Sequence, residues 1–115
     1  MTDATVHELI QTKTRANSAV IEGRKALALA EGRYADAAVE FALAKRLIGQ
    51  GAARDASAPT LTSLAQAKTH ANSKVIAARQ FLARVERAYT DAHIELTIAR
   101  LSENGRLDAV LPEGD

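Results

Sequence analysis

Large side chains recur along this chain at intervals of seven. With Val6 taken as the first a position of a heptad, a falls on Val6, Lys13, Val20, Leu27, Tyr34, Phe41 and Ile48. The d positions are then Leu9, Ala16, Gly23, Ala30, Ala37 and Ala44. A frame that does not slip predicts one helix with an apolar stripe, and a period of 3.5 turns that stripe into a left-handed seam with a second helix. Large residues at a facing small ones at d let the two backbones come close. The frame resumes with a at Leu61, Lys68, Val75, Leu82, Tyr89 and Leu96, and d at Leu64, Ala71, Ala78, Val85, Ala92 and Ala99. Between the two, residues 49–60 carry no heptad and hold Gly49, Gly51, Pro59 and small polar residues, so they read as a linker.

Helix ends are marked as well. Thr5 and Glu8, after Thr2 and Asp3, have capping-box spacing and place the first N-terminus within the opening residues. Ser57 or Thr60 is expected to cap the second helix, with Pro59 near its first turn. Asn104 and Gly105 read as its stop, and in the tail 105–115 the apolar Leu107, Val110 and Leu111 are expected to fold back on the helices.

The two heptad stretches are copies of one another. Gln11–Ile21 and Gln66–Ile76 align at an offset of 55, and from Leu9/Leu64 to Ala44/Ala99 there are 18 identities in 36 ungapped pairs. The expected architecture is therefore all-α: a single helical domain over residues 1–115, built from internal repeats 9–44 and 64–99 as two long antiparallel helices. Such a coiled-coil-like hairpin is expected to assemble into a four-helix or larger bundle. If residues whose numbers sum to about 110 lie side by side, Arg24 meets Glu86, Glu31 meets Arg79 and Asn17 lies beside His93. The first two would be ion pairs related by the duplication, and they would fix register more than stability.

One local stretch points elsewhere. Glu31-Gly32-Arg33-Tyr34, followed by Ala37, Phe41 and Ala44, resembles the turn and second helix of a tetratricopeptide repeat, which implies a chain reversal at Gly32. The second copy reads Glu86-Arg87-Ala88-Tyr89, without the glycine, and its period is 55 rather than 34. An unbroken helix through Gly32 is the expectation, at a cost of about 1 kcal/mol against Ala.

Composition agrees with helices. Ala supplies 25 residues, against two Phe, two Tyr and no Trp, so the seam must gain by close approach rather than by bulk. Without Cys there is no disulfide, thiolate chemistry or Cys-ligated zinc. No stretch approaches the roughly 20 apolar residues of a membrane span, and Met1–Glu8 shows neither a basic nor an apolar leader pattern. A cytoplasmic location, or a place in a particle assembled there, is expected.

The residues outside the seam suggest what the chain does. Val39, Leu43 and Leu47 in the first copy, and Ile94, Ile98 and Leu101 in the second, occupy f, c or g. Val39/Ile94 and Leu43/Ile98 are equivalent in the duplication, as are Ile21/Ile76 at b. Apolar residues on a second face predict a second contact, most simply with another copy of the chain. Charge is uneven too: between residues 41 and 84, seven basic residues, among them Lys45, Arg46, Arg54, Lys68 and Lys74, face one acid, Asp55. That basic end would suit an anionic partner, but no aromatic residue interleaves with it for base stacking.

Catalytic chemistry is not expected. Glu31, Asp36 and Glu40, repeated as Glu86, Asp91 and Glu95, lack the Glu-x-x-His pairs of a bundle metal centre. His7, His70 and His93 are scattered, and there is no phosphate-binding loop or nucleophile elbow, so neither cofactor nor metal is expected. Tyr34 and Tyr89, both at a, read as seam residues, and Lys13, Asn17 and Ser18 with Lys68, Asn72 and Ser73 as polar residues that set register.

The sequence reading is thus a non-catalytic structural or interaction subunit that self-associates or docks into a larger assembly, such as a phage or secretion-type assembly. In outline the chain resembles the hairpins of periplasmic efflux adaptors and the duplicated helices of outer-membrane efflux ducts, through Ala and Leu at heptad spacing and the stretch Tyr89–Leu107. It lacks their flanking strands and tip motif. The alternative is a small dimeric regulator that binds nucleic acid or an acidic partner through its basic end, as plasmid-copy-number hairpin proteins do.

Overall fold

The computed structural model describes residues 5–52 and 55–103. Two α-helices account for nearly all of them: α1, Val6–Gly49, and α2, Leu61–Glu103. They form a hairpin, with no strand among the described residues.

Each start and the first stop have a local cause. The Glu8 N–H donates to Thr5 Oγ1 at 3.1 Å, and the Leu9 N–H to the Thr5 carbonyl at 3.0 Å, so Thr5 satisfies donors that the first turn leaves open. Thr60 does the same for α2: the Ser63 N–H donates to its Oγ1 and the Leu64 N–H to its carbonyl, both at 3.0 Å. Thr60 is therefore the cap, Pro59 precedes it, and Ser57 belongs to a separate turn. There Asp55 Oδ1 accepts from both the N–H and the hydroxyl of Ser57, at 3.0 Å each. At the end of α1 the Ala52 N–H donates to the Leu47 carbonyl and the Gly51 N–H to that of Ile48, both at 3.0 Å. This Schellman arrangement needs a left-handed residue, and Gly51 supplies it with φ of 79°. The stop at Asn104-Gly105, the early Thr2 and Asp3 and the tail 105–115 lie outside the described residues.

Gly32 lies inside α1 with ordinary helical backbone, and a Cβ built there meets nothing within 4 Å. The chain does not turn at Gly32, so the local likeness to a tetratricopeptide repeat does not extend to its fold. A single exposed glycine within more than ten helical turns costs too little to break them.

Contacts gather into two units. The first joins residues 1–22 with 82–115, and the second is the continuous segment 23–81. Within the second unit α1 and α2 are antiparallel: Glu31 meets Arg79, while Phe41, further along α1, meets Lys68, earlier in α2. Its buried side chains are Ala44, Leu64 and Val75, with the backbone of Gly23 also covered. In the first unit the buried side chains are Val20, Ala92 and Leu96, and Lys13 of α1 lies over Tyr89 of α2. All these buried residues occupy a or d. Among the other a and d positions only Ile48, at the end of α1, is exposed.

Candidate interaction surfaces

What a two-helix seam leaves outside is the candidate site. Side chains four apart on a helix lie one above the other, so Val39, Leu43 and Leu47 form a stripe on α1. They are 64%, 54% and 40% exposed. Their duplicates on α2, Ile94 and Ile98, are both 49% exposed, whereas Leu101 is partly covered. Val39, Leu43 and Leu47 belong to the second unit, and Ile94 and Ile98 to the first. Ile21 and Ile76, at b, are also exposed. Exposed Leu29 at c and Phe81 at g were not singled out by sequence: their duplicates are Arg84 and Ala26, and neither lies one turn from an outer pair such as Leu43/Ile98, as Leu47 and Leu101 do.

The register pairs differ in what is shown of them. Arg79 Nη2 donates to Glu31 Oε2 at 3.4 Å, between side chains 63% and 50% exposed. Water and salt screen such a pair, so it selects alignment and adds little stability. Arg24 and Glu86 both make interactions of their own.

Lysine at a is explained by what covers it. Lys13 Nζ lies 5.9 Å from the centre of the Tyr89 ring, and Lys68 Nζ lies 5.6 Å from that of Phe41. Each aliphatic stem crosses the seam and each ammonium rests over an aromatic face, a contact of about 0.5–1 kcal/mol at an exposed site. Both copies thus solve the polar position in one way. It also divides the basic end: Lys45, Arg46 and Lys74 are exposed, Lys68 is turned onto Phe41, and Arg54 lies outside the described residues.

Concavities are shallow. In the first unit a cleft of about 270 Å³ is lined by Ile10, Lys13, Thr14, Asn17, Tyr89, Leu96 and Arg100. Tyr89 also stacks on His93, one turn on, with centroids 6.5 Å apart. Hydroxyls on the helices are occupied locally: Thr12, Ser73, Thr90 and Thr97 donate to the carbonyl four residues back. Among the described residues no three His, Cys, Asp or Glu are grouped to hold a metal ion, and no helix is long and apolar enough to cross a membrane. Asp55 has its carboxyl pulled below the ordinary value of 3.8, chiefly by the Ser57 backbone N–H and then by the Ser57 hydroxyl.

Comparison with protein-family models, with curated proteins and with solved structures finds no match.

Proposed function

We propose that this protein is a non-catalytic helical subunit that self-associates, with copies of the chain covering the apolar side chains left outside the seam. The supporting observation is that Val39 and Leu43 recur as Ile94 and Ile98 at duplicate positions, all of them about half exposed or more. Scattered single apolar residues on a surface need no explanation, but apolar pairs retained in both copies of a diverged repeat do. The divergence is real, since half of the aligned positions differ. Assembly into a bundle follows from the same surfaces, because helices contacted on two sides are bundle helices.

Light scattering over a range of protein concentrations tests this. The native chain should show a mass above the monomer that rises with concentration, and Val39→Glu combined with Ile94→Glu should return it to the monomer. A native chain that stays monomeric throughout contradicts the proposal.

A further inference from the structure

The cleft between α1 and α2 in the first unit gathers donors without acids. Lys13 and Arg100 bring two cations to it, Asn17 an amide and Thr14 a hydroxyl, and none of its lining residues is acidic. Lys13 and Tyr89 are half-buried on its floor beside the buried Leu96, whereas Thr14, Asn17 and Arg100 stand exposed at its rim. Among the described residues the side chains of Thr14, Asn17 and Arg100 make no hydrogen bond or ion pair, so their donors are unspent.

The duplication carries the same set into the second unit. Lys13, Thr14, Asn17 and Tyr89 recur as Lys68, Thr69, Asn72 and Tyr34, and Arg100 as another cation, Lys45. Only the apolar members change, Ile10 to Ala65 and Leu96 to Phe41. In that unit the Lys68 ammonium over the Phe41 ring joins the α2 members of the set to the α1 members. Register accounts for a Lys at a and an Asn at e. It does not account for a hydroxyl retained at b, or for a cation retained at e beside the apolar Ile10.

We infer that each unit binds a phosphate group at this set of residues. The inference is independent of self-association, since none of these residues belongs to the outer stripes. Two cations match the charge of a phosphate monoester near pH 7, about −1.5 to −2, and the amide and hydroxyl reach oxygens that the cations leave. A carboxylate, with one charge and two oxygens, would leave half of these donors unused. The Arg100 guanidinium suits two phosphate oxygens side by side, while the Lys13 ammonium acts as a point charge. At about 270 Å³, just below the roughly 300–1,000 Å³ of ligand pockets, the cleft takes the phosphate and little of what carries it. The ligand is therefore free phosphate or the terminal phosphate of a small phosphorylated molecule.

The test is a titration of the native chain at low concentration, followed by its backbone amide resonances. Inorganic phosphate and glycerol 3-phosphate are added in turn at constant ionic strength, with chloride as the balancing anion. Amides around Thr14, Asn17 and Arg100, and around Lys45, Thr69 and Asn72, should shift and saturate at about millimolar ligand, while those around Val39 and Ile94 stay in place. Arg100→Gln should weaken binding about tenfold in the first unit and leave the second unchanged, and Lys45→Gln should do the reverse. Both side chains are exposed, and circular dichroism checks that the helices persist. Asn17→Ala keeps both cations and should still weaken the first site about threefold. Tighter binding of glycerol 3-phosphate assigns the site to a phosphorylated molecule, and equal or tighter binding of inorganic phosphate assigns it to the free ion. No shift, shifts that never saturate, shifts that chloride reproduces, or shifts that survive all three substitutions overturn the inference, since they leave only diffuse attraction between ions and a charged surface.

Discussion

The seam and the outer faces of these helices invert the usual economy of a small protein. Among the described residues the buried side chains are Val20, Ala44, Leu64, Val75, Ala92 and Leu96, two of them only alanine, and no large one is completely covered. Outside lie Leu29, Val39, Leu43, Ile76, Ile94 and Ile98, bulkier on the whole and 48% to 64% exposed. A fully buried Val, Leu or Ile contributes roughly 1.5–3 kcal/mol relative to leaving it in water, so the chain by itself forgoes much of the apolar burial its sequence contains. The difference teaches that the seam determines how the two helices pair, whereas the outer residues take no part in that pairing and are the ones the proposed self-association would cover.

Four substitutions or conditions break or sharpen that contrast. Leu96→Ala removes the most covered side chain, 2% exposed, and should cost about 2–5 kcal/mol in a urea titration, whereas Val39→Ser at low protein concentration should stay within about 0.5 kcal/mol of the native chain. Equal losses at the two sites would erase the distinction between seam and outside. Gly32→Ala should raise stability by about 1 kcal/mol, since the added methyl meets nothing and an unfolded glycine has more freedom to lose. A loss there would instead indicate that α1 bends at this point. Glu31→Gln breaks the exposed pair with Arg79 and should shift stability by less than about 1 kcal/mol, the shift shrinking further in high salt.

The smallest effect is the acid response of the connecting turn. The Asp55 carboxyl is held below 3.8 by Ser57, so its contribution is complete above that value and disappears as pH falls through the lowered one. The Ser57 amide resonance, followed by NMR, should move in that acid range and not between pH 5 and 8. A transition near neutrality would mean that another group governs the turn.

The fold was legible because its information is periodic. A 3.5 repeat held over two stretches names the covered side, and the buried residues all fell at a or d without any knowledge of the partner helix. Local choices were harder. Ser57 and Thr60 are both competent caps, and the outcome turned on which hydroxyl the first-turn amides reach. Gly32 reads as a turn or as a tolerated helical residue until the duplicate, Arg87, is set beside it. Of the outer surface, sequence located the stripes around Val39/Ile94 and Leu43/Ile98, which recur in both copies, but it missed Leu29 and Phe81, which occur in one copy and stand apart from those pairs. It also missed the resting places of Lys13 and Lys68, because a cation over a ring depends on three-dimensional register that spacing along one helix does not encode.

Covering of the outer stripe can be read directly with a single thiol, since the native chain has no cysteine. Val39→Cys should react rapidly with a soluble thiol reagent in dilute solution and become protected as protein concentration rises. Reactivity that is the same at every concentration, with the helices intact, would show that no other copy comes to rest on this face.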